Sequence, residues 1–328
     1  VKILFIIKEH RRMAGSGNSW GLLNSARLAA FALNCEGHLA LVREVVDNNS
    51  IDGLVARERP DVVVVDALWV VPEKMAVLVR LHPRVRWVVR VHSKTPFLAE
   101  EGIALDWLRR YDRKVAVAAN AADTARELSL VLSREVTYLP NRYPAPAGRL
   151  PRRFTDSRAL DVGCFGAIRP LKNQLNQAVA AIHFAEEEGK TLRFHVNAAR
   201  VEQRGAEALK NLRALFAAGP HRLVEHEWYP HEQFLSVLAE MDVLMQVSYT
   251  ETFNIVTADA VAAGTPVVVS PAISWVPWLF QADPNDVGDQ VAALRTALSF
   301  GRFGAWLNRR ALRAYDRASA KAWARFLG

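Results

Sequence analysis

Glu251 and Asp259 are two acids separated by seven residues, and their surroundings suit a ligand carrying both phosphate and hydroxyl groups. An apolar run ends near Val247, a turn follows through Ser248-Tyr249-Thr250, and helical spacing begins near Phe253 or Asn254. The first turn of a helix has N–H groups without internal partners and a positive dipole end, so it can hold a diphosphate. Glu251 stands just before that helix and Asp259 inside it, where a carboxylate can accept hydrogen bonds from paired sugar hydroxyls. Ala263-Gly264-Thr265-Pro266 then ends the helix and opens another apolar run.

A second constellation follows the apolar run at 159–165. There Gly166 precedes Arg169 and Lys172, and two cations beside the next helix would stabilise a departing diphosphate. A third is Arg90-Val91-His92-Ser93-Lys94 at the end of a predicted strand, where parallel sheets bind ligands. A fourth is the loop Arg11-Arg12-Met13-Ala14-Gly15-Ser16-Gly17, whose glycines do not match dinucleotide spacing. His92 reads equally as a satisfied structural histidine, and Gly15 and Gly17 as simple loop flexibility.

The elements that must position these residues are short Val-, Ile- and Leu-rich runs alternating with helical patterns. The first series is 2–7, 39–42, 61–65, 86–91, 114–118 and 136–139; the second is 159–165, 192–196, 223–226, 243–247 and 266–270. Continuously apolar runs suit strands covered on both faces of a parallel sheet. The segments between them read as helices, among them 22–34, 173–188, 205–218 and 232–239. The alternation predicts an α/β chain of two Rossmann-like domains. Four prolines and a glycine within residues 140–154 mark the linker. The expected division is 1–148, 149–305 and a helical tail at 306–328.

The chain has 328 residues and a net charge of +8, with 22 basic against 16 acidic residues in the first 150. That excess predicts a negatively charged partner. Cys35 and Cys164 are too few for a disulfide framework or a zinc site and read as small buried residues. No segment reads as a membrane span or signal peptide, so a cytoplasmic location is expected. No Asp-x-Asp motif and no His/Cys cluster with metal spacing is present, so no metal is expected to be required.

These motifs resemble those of the retaining glycosyltransferases with the two-domain GT-B fold, of the family-4-like type whose signature is acid-x7-acid followed by Gly-x-Pro. Glu251 matches the first acid; Asp259 matches the second, where the family usually has Glu, and is one methylene shorter. The resemblance implies two domains facing each other across a cleft, with C-terminal helices able to pack back on the N-terminal domain. It implies a nucleoside-diphosphate sugar as co-substrate, of UDP type, and no permanently bound cofactor. Glu251 would contact the donor sugar and Asp259 the ribose, while Thr252, Phe253, Asn254 and Ile255 offer backbone N–H groups to the phosphates. Gly166 and Lys172 match the family's Gly turn and cation; Arg169 is chosen for its proximity to them. Gly15, Ser16 and Gly17 would lie against the donor, and His92 near its sugar. Pro140-Asn141-Arg142 resembles the Pro-Asn-Gly that closes the family's first domain, though Asn141 reads equally as a turn residue.

The basic N-terminal half, with tryptophans interleaved, has the composition of a phosphate-tracking groove. Residues 47–52 and 67–72 resemble glycosyltransferase-like proteins of bacteriophages, some of which glycosylate hydroxymethylated bases in DNA. Double-stranded DNA is therefore one expected acceptor, with Arg11, Arg12, Lys94 and Arg142 as its contacts. A cell-surface glycan, lipid or small molecule is the other. A nucleotide-sugar epimerase and a non-catalytic nucleic-acid binder are the alternatives outside transfer. Neither the sugar nor the oligomeric state is legible.

Overall fold

The computed structural model describes residues 1–9, 20–144 and 158–328. The chain divides into two compact units, Val1–Pro144 with Asp316–Gly328 and Ala145–Tyr315. The first contains β1 (Lys2–Lys8), α1 (Trp20–Cys35), β2 (Leu39–Val45), α2 (Ser50–Glu58), β3 (Val62–Asp66) and α3 (Pro72–Leu81). It continues with β4 (Arg86–Val91), α4 (Thr95–Leu98), α5 (Ala104–Arg110), β5 (Val115–Ala119), α6 (Ala122–Leu132) and β6 (Val136–Tyr138). The strands form one parallel sheet in the order β2-β1-β3-β4-β5-β6.

Strand alternation divides the core of this unit into two faces. Ile3, Phe5 and Ile7 pack with α1 residues Leu23, Ala26 and Leu33. Leu4 and Ile6 face the other way, among Ile51, Leu54 and Met75. All five residues of β3 are buried, as its run of four valines predicts.

The second unit contains β7 (Ala159–Gly163), a 3-10 turn (Pro170–Lys172), α7 (Gln174–Glu187), β8 (Thr191–Asn197), α8 (Gly205–Ala217), β9 (Arg222–His226) and α9 (His231–Glu240). β10 (Val243–Gln246), α10 (Ile255–Ala263), β11 (Val267–Val269) and a 3-10 turn (Trp278–Phe280) follow. Its parallel sheet has the order β11-β10-β7-β8-β9. Each run predicted as a strand is one, so the α/β architecture with two parallel sheets is that of the expected fold.

α11 (Val287–Leu327) begins well before the predicted tail. Its one non-helical residue is Gly301, at φ 46° and ψ −121°. Residues up to Tyr315 belong to the second unit, and Asp316 onwards to the first. There Trp323 is buried on Phe5, ring centroids 5.7 Å apart, and its indole N–H donates to Pro140 O at 2.9 Å.

Two expectations are corrected. Leu139, Asn141, Arg142 and Tyr143 are buried in the first unit, so the predicted linker begins too early. Cys35 is exposed at the end of α1, because the chain turns out through Glu36 and Gly37 there; Cys164 is buried as expected. The loop with Arg11, Arg12, Gly15, Ser16 and Gly17 lies outside the described residues.

Candidate functional site

In the second unit, the ends of β7 and β10 bring the predicted donor residues together. Gly166 has φ 115°, which favours glycine, and its N–H donates to Asn197 Oδ1 at 2.9 Å. The chain then runs through Ile168, whose N–H donates to Arg200 O, into the turn carrying Lys172. Asn173 ends that turn in the left-handed region (φ 58°). Its amide donates to Val247 O at 3.1 Å and Pro284 O at 2.8 Å, so it ties this turn to the end of β10. Tyr249 N–H donates to Leu171 O at 3.0 Å and completes the join.

Lys172 and Glu251 meet there in a charged hydrogen bond. Both side chains are largely buried. Burial pushes the Lys172 ammonium below its ordinary pKa, Glu251 opposes that shift, and Arg169 adds to it. Arg169 stands nearby and forms an ion pair with Glu202 at 3.6 Å.

α10 begins at Ile255, slightly later than the spacing predicts. Asn254 is the cap, in the left-handed region at φ 58°, and its side-chain oxygen accepts from Thr257 N–H at 2.9 Å. Thr257 N–H is therefore occupied, and the open donors of the first turn are Ile255 and Val256. Gln246 holds this turn from below: its amide donates to Phe165 O at 2.8 Å, and its oxygen accepts from Asn254 Nδ2 at 2.9 Å. Phe253 is buried, stacked on Tyr315 at 4.9 Å, and its carbonyl accepts from Trp275 Nε1 at 2.8 Å. The loop from Glu251 to Asn254 is thus fixed at several points before any ligand binds. Close by, a cleft of about 450 Å³ is lined by Ser248, Tyr249, Ser270, Asp283 and Asp289, with no Lys or Arg among its described lining residues. Those lining residues offer a phosphate no cation.

Asp259 is buried on α10, and its Oδ1 lies 2.8 Å from Nε2 of His231. Neither His231 nor Gln246 stands out in the sequence, because each gains its partners only in the fold.

In the first unit, His92 follows β4 beside a buried polar network. Its Nε2 lies 2.6 Å from Asp66 Oδ1, so a neutral ring carries its proton there and leaves Nδ1 as an acceptor. Nδ1 is 3.4 Å from the Asn120 amide. Burial depresses the His92 pKa, Arg90 depresses it further, and Asp66 opposes both. Arg90 is fully buried and donates to Asp66, to Leu139 O and to Asn141 Oδ1, at 3.1, 2.9 and 2.6 Å. It is a structural cation, not part of a phosphate-tracking surface. Arg142 is also corrected: it is 4% exposed, bidentate to Asp316 and paired with Glu36 at 2.8 Å. Those commitments remove it from the acceptor contacts. Lys94 is paired with Asp123 at 2.5 Å.

A family model described as "Family 4 Glycosyltransferase in conflict systems" matches residues 93–303. The chain belongs to this family of glycosyltransferases. Among solved structures it is similar to a sucrose-phosphate synthase from Thermosynechococcus elongatus, with 14% identity over 99% of this chain and 98% of that one and a TM-score of 0.70. A UDP-forming α,α-trehalose-phosphate synthase from Burkholderia xenovorans gives 12% identity, 85% and 77% coverage and a TM-score of 0.63. An E. coli trehalose-6-phosphate structure bound with UDP-2-fluoro glucose gives 11%, 98% and 96%, with a TM-score of 0.63. At these identities the likeness is one of fold, and it is the GT-B fold. No curated protein matches by sequence. Among the described residues, no helix is long and apolar enough to cross a membrane, and no group of three or more His, Cys, Asp or Glu could hold a metal ion.

Proposed function

We propose that the glycosyltransferase moves a sugar from a nucleoside diphosphate, of UDP type, to an acceptor hydroxyl with retention of anomeric configuration. The observation that carries this reading is the Lys172–Glu251 pair beside the first turn of α10. It places a cation, a carboxylate and open backbone donors within one small region. Lys172 and the N–H groups of Ile255 and Val256 stabilise the leaving diphosphate, with Arg169 adding positive potential. Glu251 holds the donor sugar by its hydroxyls. The bond between the anomeric carbon and the diphosphate oxygen breaks, and the acceptor oxygen bonds to that carbon on the same face. The acceptor's proton passes to the leaving phosphate oxygen, so the transfer needs no covalent nucleophile. Burial and Arg90 keep His92 neutral, and its Nδ1, 3.4 Å from the Asn120 amide, would bond a ligand only by giving up that contact. UDP is favoured because one structure of similar fold is a UDP-forming synthase and another is bound with UDP-2-fluoro glucose.

For the acceptor, hydroxymethylated bases in double-stranded DNA are the reading that the basic first half supports. With Arg142 buried, Arg109, Arg113 and Lys114 remain among the exposed basic residues of the first unit. A base in a duplex would leave the stack to be modified. A cytoplasmic enzyme is in keeping with this substrate.

Two measurements test the reading. Labelled sugar from a panel of UDP-, GDP- and ADP-sugars should reach hydroxymethylated DNA and not unmodified DNA. Transfer only to glycans or small molecules leaves glycosyltransfer standing and removes DNA. Conversion of the donor sugar without any acceptor would instead identify an epimerase.

A further inference from the structure

His231 is the first residue of α9, directly after Pro230, and α9 packs on α10. Its Nε2 meets Asp259 Oδ1 at 2.8 Å. The two partners differ in access: the Asp259 side chain is 3% exposed, the His231 side chain 27%. The imidazole therefore covers the carboxylate, and the ring reaches the surface where the acid does not. Asp259 lies four residues beyond Ile255, so the pair is set back about 6 Å along the helix from the first-turn N–H groups. That is too far to share the phosphate those groups would hold, and about right for the sugar attached to it. The charged groups facing His231 are Asp259 from α10 and Glu232 from its own helix. The hydrogen bond to Asp259 raises the His231 pKa against the effect of burial, and the attraction of Asp259 and Glu232 raises it further.

We propose that His231, not Asp259, touches the nucleotide: Nε2–H is anchored on the Asp259 carboxylate, and the Nδ1 edge hydrogen-bonds the ribose hydroxyls of a nucleoside diphosphate. Asp259 is then a positioning residue. The short acid and the histidine together span the distance that a longer carboxylate would span alone. This inference rests on reading the second unit as the donor site.

Calorimetric titration of the full chain tests it. UDP, GDP and ADP are titrated first, and the tightest is compared with its 2′,3′-dideoxy analogue. The wild type should prefer the ribose form by on the order of tenfold, the worth of a charge-assisted hydrogen bond. His231→Ala should lose that preference while still binding the dideoxy analogue as the wild type does. Adding Asp259→Glu to His231→Ala should restore the preference, because the longer acid reaches the hydroxyls directly. A purely structural ion pair would not be rescued this way. Should His231→Ala fail to fold, His231→Asn keeps a partner for Asp259 but is too short to reach the ribose, and the same loss is expected. His231→Ala with wild-type preference overturns this proposal alone. A wild type that binds none of the three diphosphates overturns the donor reading and this proposal with it.

Discussion

The Lys172 ammonium hydrogen-bonds the Glu251 carboxylate, joining residues 79 positions apart in sequence. Their side chains are only 12% and 9% exposed, so each is the main compensation for the other's burial. Removing one partner leaves an uncompensated charge. Lys172→Ala should therefore destabilise the second unit by about 3 kcal/mol and lower transfer by a further ~3 kcal/mol of transition-state stabilisation. The double variant Lys172→Met/Glu251→Gln separates the two effects. It should recover most of the melting temperature and none of the activity. Recovered transfer in the double variant would remove Lys172 from the leaving-group role.

The strands were legible because burial on both faces leaves a local mark. The four valines of β3 can hardly be read otherwise. The donor loop was legible for a related reason: its acid, helix start and Gly-Thr-Pro are contiguous in the chain. What the sequence hid depends on pairing at a distance. His231 follows an unremarkable Trp-Tyr-Pro and gains its meaning from Asp259, 28 residues later. Gln246 sits inside an apolar run and reads as strand filler, yet it clamps Phe165 to Asn254. Arg142 belongs by sequence to the basic, proline-rich stretch 140–154, and the partner that buries it, Asp316, is 174 residues away.

Gly205 offers a test of how the cation loop is held. A Cβ at this position would lie 1.9 Å from the carbonyl oxygen of Ile168, which already accepts from Glu202 N–H at 2.9 Å. Backbone cannot yield as a flexible side chain does, so Gly205→Ala must push Ile168 and Arg169 away. A cost of about 1–3 kcal/mol in urea unfolding is expected, together with weaker nucleoside-diphosphate binding. Gly219, where a Cβ meets nothing within 4 Å, is the control, and Gly219→Ala should change stability by less than about 0.5 kcal/mol. Equal behaviour of the two variants would show that the loop is not so constrained.

Acid should weaken the second unit through His226. Its Nε2 lies 2.8 Å from His195 Nδ1, and His195 Nε2 lies 2.9 Å from Asp161 Oδ1. Burial, with His195 adding to it, brings the His226 pKa down from 6.5 to about 4. The folded state thus takes up this proton less readily than the unfolded chain. The stabilisation is complete above pH 6.5 and is lost as pH falls towards about 4. His226→Gln removes this group, so the gap in melting temperature between wild type and variant should narrow over that window. A gap that stays constant with pH would mean His226 titrates normally.

The last turns of α11 should be indispensable to the first unit. Asp316 accepts from Arg142 Nε at 3.0 Å, from Arg142 Nη2 at 3.2 Å and from Tyr143 N–H at 2.8 Å. Asp316→Ala would leave Arg142 buried with only the half-exposed Glu36 as a partner. The expected cost is about 3–5 kcal/mol. Arg142→Lys should not be a mild change, since an ammonium cannot make the two parallel bonds of a guanidinium. Trp323→Ala empties a fully buried site against Phe5 and should cost a similar ~3–5 kcal/mol. Urea unfolding of the three variants checks these values. Because Arg142 is spent on Asp316 and Glu36, its loss should also act through stability and leave the salt dependence of any DNA binding unchanged. An Arg142→Ala protein with wild-type stability but a shallower salt slope would return this arginine to the acceptor surface.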